Sequence, residues 1–538
     1  EDAAEPVTVD LNVAGTQFVS AGQWLDILIS IENLLGSAFN DTLTGNGQAN
    51  RLSGGGGNDS LTGGGGVDTL DGGNGFDVAN YSLAATGVVA ELWRSFALND
   101  GDGAQDSLLN LEGLTGSSHN DLLAGSDGNE LFNGGAGNDG LYAAGGLDTL
   151  IGGAGNDTLD GGAGIDIAHY GAATGPVTAE LWRSYALNDG QGGQDALWNI
   201  EGLTGSAFND LLAGGAANDI LIGSGGNDGL YAAAGNDTLV GGTGNDTMDG
   251  GPGIDIADYG GASGPVTAEL WRSYALNDGQ GGQDALWNIE GVLGSPFSDL
   301  LAGGANNEVL VGGAGNDGLY GAGGIDTLMG GAGNDTMDGG PGIDAVEYGA
   351  ATGPVTAELW RSFATNDGQG GQDALWNVEF LLGSGFNDLL AGTTGDNYLD
   401  GRGGADQLFA AAGNDTLVGG PGNDTLNGGA GLDVFLFNAA LGAGNIDIVQ
   451  DFAVVDDTVW LENAVFTALV ANGPLGAGQL RAGAGVSTAA DGDDFILYNS
   501  STGALYYDAD GSGVGAAPVQ FALLGAGLGL TVADLVAV

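Results

Sequence analysis

Aspartate recurs every nine residues over long stretches of this chain, as in Asp210, Asp219, Asp228, Asp237, Asp246 and Asp255. A carboxylate is a hard oxygen donor, and carboxylates held at a fixed repeat beside backbone carbonyls suit hard cations, calcium above all. The surrounding text is nearly constant: GGGGNDSLT at 54–62, GGAGNDTLD at 152–160, GGTGNDTMD at 241–249, GGPGIDIAD at 250–258 and GGPGNDTLN at 419–427. Each unit places glycine first, second and fourth, the carboxylate sixth and an apolar residue eighth. The candidate metal ligands are Asp41, Asp59, Asp68 and Asp77; Asp121, Asp139, Asp148, Asp157 and Asp166; and Asp210, Asp219, Asp228, Asp237, Asp246 and Asp255. Further along they are Asp299, Asp317, Asp326, Asp335 and Asp344, then Asp388, Asp406, Asp415, Asp424 and Asp433. Glu130 and Glu308 keep a carboxylate at the sixth place, whereas Asn50 and Asn397 lose the charge and are expected to weaken or abolish a site. In AAAGNDTLV at 232–240 and 410–418 both leading glycines are gone, which puts the turn geometry there in doubt. Calcium affinity is therefore expected to be uneven along the chain.

The elements that must position these carboxylates follow from the same spacing. Glycine admits backbone conformations of positive φ, and the three residues from the seventh to the ninth place form a short strand whose middle side chain points inward. Two nonapeptides then close one coil, and equivalent turns stack about 4.8 Å apart. Stacking brings the carboxylates of successive turns together on one edge, where they repel unless a cation lies between them.

A longer period encloses the short one. The string ELWRS starts at Glu91, Glu180, Glu269 and Glu358, 89 residues apart each time, and residues 176–202 and 265–291 are identical. A fainter copy opens the chain, with VTVDLN at 7–12 and IENLLGSAFNDTL at 31–43. The organisation expected is a degenerate first module at 1–80, modules at 81–169, 170–258, 259–347 and 348–437, and a cap at 438–538. Five nonapeptides fall in the first module and six in each of the others.

Composition narrows the function classes. The 538 residues carry 112 glycines and 70 acidic against 7 basic side chains, a formal net charge of -63. A field this negative repels phosphate, so nucleic acid and anionic membranes are improbable partners. Without cysteine there are no disulfides and no thiolate chemistry. No run of 18 apolar residues reads as a membrane span. With 42% hydrophobic residues the chain is too apolar for a disordered acidic tail. The tension between a foldable core and self-repulsion is resolved by multivalent cations, of which about two dozen would offset most of the charge. The first residues, EDAAEPV, lack a basic start and an apolar stretch and do not begin with Met, which reads as a processed protein or a piece of a longer one.

The nonapeptides resemble those of the repeats-in-toxin (RTX) family, the hemolysin-type calcium-binding repeats, and the resemblance covers almost the whole chain. It implies an all-β fold, a right-handed parallel β-roll or β-solenoid with a C-terminal β-rich cap. It also implies a chain that is unfolded in the calcium-poor cytosol, exported by a type I secretion system and folded by Ca2+ outside. NIDIVQDFAVVDDTVWLENAVF at 445–466, ALYYDADGSGVGAAPVQFALL at 504–524 and LTVADLVAV at 530–538 resemble the capping and secretion-signal region of the same family.

Weaker features have plainer readings beside the functional ones. Asp26, Asp106, Asp195, Asp284 and Asp373 stand 15 residues before the next repeat Asp, and Glu32, Glu112, Glu201, Glu290 and Glu379 nine before it. They are extra calcium ligands or solvated turn carboxylates, in inserts that continue the solenoid as wider coils. DADGSG at 508–513 resembles the start of an EF-hand loop, but Val519 stands where that loop needs a bidentate Glu, and a polar hairpin turn is preferred. Trp93, Trp182, Trp271 and Trp360 are expected to cover the edge of the wide coil, with the following Arg paired to a carboxylate. Tyr142, Tyr231, Tyr320 and Phe409 occupy the ninth place and should point outward, as a lateral contact, a sugar-stacking surface or mere decoration. His119 and His169 are substitutions within repeats, and H-E-x-x-H, G-x-S-x-G and Walker signatures are all missing.

The function expected is that of a secreted or cell-surface, non-enzymatic structural protein: an adhesin stalk, surface-layer or filament subunit that folds on calcium and self-associates. The alternatives are the calcium-binding export portion of a larger RTX enzyme or toxin, and a carbohydrate- or matrix-binding module.

Overall fold

The computed structural model describes residues 5–13, 15–18 and 25–538. Its contacts divide into two units, residues 1–258 with 280–289 and residues 259–279 with 290–538, each built on the same plan. The seventh to ninth places of a nonapeptide form a strand, as in Thr158–Asp160 and Thr247–Asp249. Successive strands alternate between two ladders, so each pairs in parallel with the strand 18 residues on: Leu131, Phe132 and Asn133 face Thr149, Leu150 and Ile151. In the second unit Val309, Leu310 and Val311 face Thr327, Leu328 and Met329 in the same way. The fold is an all-β parallel β-roll.

The eighth place fills the space between the ladders. Leu43, Leu52, Leu61 and Leu70 in the first unit, and Leu310, Leu319, Leu328 and Met337 in the second, are all buried. Each such side chain contributes about 1.5–3 kcal/mol relative to exposure. The seventh and ninth places point away from the core and carry Thr, Asp and Tyr, the alternation that a half-buried strand requires.

The inserts depart from simple widening. In residues 170–201 the strand Thr178–Glu180 runs into a single 3-10 turn, Leu181–Arg183, which Ser184 ends in the left-handed region at φ 55°. The chain then returns as Tyr185–Asn188, antiparallel to the first strand, and again as Asp195–Trp198, antiparallel to the second. The outer strands rejoin the parallel ladder, Thr178–Glu180 on Leu211–Ala213 and Asp195–Trp198 on Thr158–Asp160. The opposite ladder gains nothing: Ile167–His169 pairs directly with Gly202–Thr204. The insert is a wide coil, as its register suggested, but one that threads an antiparallel pair into one sheet only. Residues 81–112 and 348–379 do the same.

The C-terminal segment closes the roll of the second unit. Asp447–Val449 continues one ladder and Thr458–Leu461 the other. An antiparallel meander of Ile496–Asn499, Ala504–Tyr507 and Val519–Leu523 then covers the end. Phe466 packs edge-on against both Tyr507 and Phe521, with ring centroids 5.1 and 5.0 Å apart, and Phe437 meets Phe521 at 5.2 Å. Aromatic rings thus replace the aliphatic column where the repeat ends. Among the described residues no helix is long and apolar enough to cross a membrane.

Candidate metal centre

Stacking of the nonapeptides turns the sixth-place aspartates into a ladder of their own. Most use Oδ1 to accept the amide N–H of the sixth-place residue one coil earlier: Asp139 donates to Asp157 at 2.8 Å, Asp228 to Asp246 at 2.8 Å and Asp317 to Asp335 at 2.8 Å. The fifth-place asparagines run a parallel ladder outside it, as in Asn156 donating its N–H to Asn138 Oδ1 at 2.8 Å. Every sixth-place carboxylate is buried. Having spent Oδ1 on the backbone, most keep a buried Oδ2 with no hydrogen-bond partner: Asp59, Asp68 and Asp77; Asp139, Asp148, Asp157 and Asp166; Asp228 and Asp237; Asp317, Asp326, Asp335 and Asp344; Asp406, Asp415, Asp424 and Asp433. A buried, unsatisfied carboxylate oxygen is costly, and repetition of one along a whole fold marks a missing partner.

The first glycine of each turn shows where that partner fits. A Cβ on Gly223 would lie 2.5 Å from Asp228 Oδ2 and 2.5 Å from the carbonyl oxygen of Gly241, one coil on. On Gly312 it would meet Asp317 Oδ2 and the Gly330 carbonyl at the same distances. Carboxylate and carbonyl oxygens therefore converge beside the first glycine, the oxygen-only donor set that calcium takes. This glycine serves close approach and not positive φ; it is the second and fourth places that are left-handed, with Gly153 at φ 95° and Gly155 at φ 147°. Gly223→Ala is expected to cost about 1–3 kcal/mol of folded stability through overpacking and to lose the ion of that turn, measured as a higher calcium midpoint by circular dichroism.

Charge and burial agree with a cation site. Burial pushes Asp59 up to about 6 and Asp139, Asp228 and Asp317 up to about 7, neighbouring carboxylates adding to the rise and the backbone N–H opposing it. Among the described residues no three acidic or histidine side chains converge on one point, so each site draws on carbonyls as well.

Six predicted ligands are occupied by protein donors instead. Asp41, Asp121, Asp210, Asp299 and Asp388 open the nonapeptide runs of their modules, and each takes the N–H of a second-place serine on Oδ2, namely Ser37, Ser117, Ser206, Ser295 or Ser384. On Oδ1 each accepts that serine's hydroxyl and the N–H of Val7, Val88, Val177, Val266 or Val355. Asp219 accepts the Gly215 N–H on Oδ2 at 2.5 Å. The recurring Gly-Ser at the start of each nonapeptide run was the sequence signal for this. Asn50 is likewise closed, donating from Nδ2 to the Glu32 carbonyl and accepting the Asn46 N–H; Asn397 donates to Glu379 and accepts from Thr393. Glu130 and Glu308 retain a buried, unpartnered Oε2. The turns that lost both glycines keep their backbone path, since Ala233 adopts φ 83° and Ala411 φ 85° and the ladder bonds to Asp237 and Asp415 remain, but Ala232 and Ala410 put a methyl at the first place, where most other turns carry glycine.

The insert carboxylates continue the ladder. Asp106, Asp195, Asp284 and Asp373 accept the N–H of Asp68, Asp157, Asp246 and Asp335, and Glu112, Glu201 and Glu379 accept that of Asp77, Asp166 and Asp344. The side chain of Asp26 lies outside the described residues. Three buried tyrosines that sequence reasoning passed over, Tyr81, Tyr170 and Tyr348, donate their hydroxyls to Oδ2 of Asp106, Asp195 and Asp373. Their constant place 25 residues ahead of the aspartate was the available clue.

The aromatic columns are partly as expected. Trp93, Trp182, Trp271 and Trp360 are 56–58% exposed rather than buried over an edge. The arginines stack on these rings at 4.3–4.6 Å and pair with Glu91, Glu180, Glu269 and Glu358. Tyr142, Tyr231 and Tyr320 point outward, and Phe409 is half-buried. In the cap, DADGSG forms the turn of the Ala504–Tyr507 and Val519–Leu523 hairpin, where Asp510 Oδ2 accepts the N–H of Gly515 at 2.7 Å.

Among solved structures the chain is similar to the AlgE6R3 subunit of the Azotobacter vinelandii mannuronan C5-epimerase, at 26% identity over 28% of this chain and 77% of that one, with a TM-score of 0.19. It is also similar to the extracellular lipase LipA of Serratia marcescens, at 16% identity over 46% of this chain and 39% of that one, with a TM-score of 0.15. Scores this low give neither likeness weight for function. No curated protein matches the sequence. The RTX calcium-binding nonapeptide repeat does match, over 30–61, 44–79, 115–150, 141–168, 203–230, 230–257, 293–328, 319–346, 382–417 and 409–439, together just over half of the chain. With its buried carboxylate ladder and its glycine-gated oxygen sites, the chain belongs to the RTX calcium-binding nonapeptide repeat family, and calcium is its cofactor.

Proposed function

We propose that this is an extracellular, non-enzymatic structural protein of the cell surface, an adhesin stalk, surface-layer or filament subunit. Calcium drives its folding, through the sixth-place carboxylates whose Oδ2 lacks a partner. The observation that carries the structural role is the recurrence of the same exposed tryptophans in each unit. Trp182 and Trp198 in the first unit, and Trp360 and Trp376 as their copies in the second, are each at least half exposed. Identical apolar patches at a fixed period favour contacts between copies, because many weak contacts add up as avidity. The modules at 81–169, 170–258, 259–347 and 348–437 are the repeating contact units in this reading. The acidic, lysine-free composition suits export as an unfolded chain by a type I system that reads the segment 438–538, with calcium supplying the folding energy outside.

One observation favours a second reading. An open groove of about 550 Å³ is lined by Trp93, Tyr142, Ser126 and Asp127, an aromatic platform beside polar groups of the kind that holds a sugar ring. Light scattering and electron microscopy during calcium addition to chelated protein separate the two. Large regular assemblies are expected; a calcium-loaded monomer that binds glycans would overturn the structural reading in favour of the carbohydrate module.

A further inference from the structure

The cap lies beyond the last matched nonapeptides, which end at residue 439, yet it holds two carboxylates with the same want of a partner. Asp508 follows the strand Ala504–Tyr507, is 3% exposed, and donates its N–H to the Phe495 carbonyl at 2.8 Å. Asp510 stands two residues on, in the turn that leads to Val519–Leu523. Closing that turn takes one oxygen: Asp510 Oδ2 accepts the N–H groups of Gly515 and Ala516 at 2.7 and 3.2 Å. An asparagine would close it as well. What the hairpin does not use is Oδ1 of Asp508 and Oδ1 of Asp510, both buried and both without a hydrogen-bond partner.

The two groups stand side by side. Burial pushes the Asp508 carboxyl up, and the neighbouring Asp510 carboxylate adds to the rise while the Asp510 N–H opposes it. Like charges this close repel, and a buried carboxylate oxygen with no partner is costly. No protein cation relieves them. Arg481 is the one basic side chain between residues 438 and 538, and it donates to the Thr488 carbonyl. Among the described residues neither Asp508 nor Asp510 has an ion-pair partner. The segment packed on the turn makes the imbalance worse, because it carries Asp491, Asp493 and Asp494. Ser512 donates its N–H to the Asp491 carbonyl at 2.7 Å, and a Cβ on Gly511, whose φ is 58°, would stand 2.7 Å from the Gly492 carbonyl oxygen. Two acidic stretches of backbone are thus pressed together with no positive group between them.

We propose that the cap binds one divalent cation of its own, bridging Oδ1 of Asp508 and Oδ1 of Asp510 and sharing no ligand with the nonapeptide ladder. Calcium is the ion, because the protein donors are carboxylate oxygens and calcium tolerates an irregular shell completed by water. Val519 stands where an EF-hand would supply its bidentate glutamate, so the affinity is expected to fall below that of a complete EF-hand loop. By neutralising the pair, the ion holds the tip of the hairpin against the 491–494 segment.

Anomalous diffraction at long wavelength from crystals of the full calcium-loaded chain tests this directly, and a calcium peak is expected between the two Oδ1 atoms. In native mass spectrometry Asp508→Asn with Asp510→Asn, which preserves the turn bonds, is expected to lose a single ion while the β signal in circular dichroism is kept. Crystals with calcium in the nonapeptide turns and none at this pair overturn the inference and leave calcium-driven folding standing. A folded double variant with the native ion count overturns it too, and if that variant fails to fold the anomalous map decides alone. Crystals with calcium in neither place would sink calcium-driven folding together with this site.

Discussion

Chelating calcium at pH 7.5 is expected to unfold both units, with loss of the β signal in circular dichroism and a large expansion in size-exclusion light scattering. The magnitudes make this the dominant effect. Neighbouring sixth-place carboxylates lie about one strand spacing apart, near 4.8 Å, and at an effective dielectric of about 20 each charged pair repels by about 3 kcal/mol. The inward residue that each nonapeptide contributes, such as Leu159 or Leu328, is worth about the same with opposite sign. Burial of the column is therefore cancelled, coil by coil, unless a cation bridges the edge. The ordering entropy of the glycine-rich turns then stands unopposed, and it is large because glycine has the most freedom to lose. Adding calcium back should restore the β signal in one cooperative step, since each coil presents a carbonyl such as that of Gly241 to the carboxylate of the coil before it. Leu159→Asp or a similar core change would act locally, whereas chelation acts at every turn. A chain that keeps its β signal and compact size in excess chelator would refute calcium-coupled folding.

Legibility of the sequence tracked how local each constraint is. The nine-residue period is fixed by stacking, so the inward Leu at the eighth place and the alignment of the sixth-place Asp along one edge could be read directly from GGAGNDTLD at 152–160, whereas the burial of that Asp could not. The glycines were read correctly as necessary and only partly for the right reason. Positive φ is a property of the turn itself, but the close approach at Gly223 depends on a carbonyl 18 residues away, which no local rule supplies. The inserts were hardest. Asp189 sits in Asn-Asp-Gly-Gln-Gly-Gly, which reads as a solvent turn, and its burial follows from pairing of Thr178–Glu180 with a strand 33 residues later. The saturation of Asp210 by Ser206 and Val177 is of the same kind, because Val177 arrives through the insert. Charge count, by contrast, foretold the cation without any geometry, since 70 acidic residues against 7 basic ones leave no protein partner for most carboxylates.

Acid should replace calcium in part, which gives the second large effect. In the metal-free fold Asp68, Asp139, Asp228, Asp317 and Asp406 are pushed up to about 7 from 3.8, in each case chiefly by burial. Between about 4 and 7 the folded state thus binds more protons than the unfolded one, and its stability falls as pH rises through that window. The stabilisation is complete below about 4 and gone above about 7, the reverse of an aspartate held by an arginine. Calcium-free chain is expected to be unfolded at pH 7.5 and to gain β signal progressively as the pH is lowered to about 5, where protonation of Oδ2 removes both the repulsion and the burial cost of the charge. Calcium and protons then compete for the same oxygens. Calcium binding to the acid-folded chain at pH 6 should release protons measurable in weakly buffered solution, and the calcium needed to displace them should rise as the pH drops below about 7. A chelated chain that stays unfolded from pH 8 to pH 5, together with a calcium midpoint that does not move over that range, would show that the buried carboxylates are not what the cation neutralises.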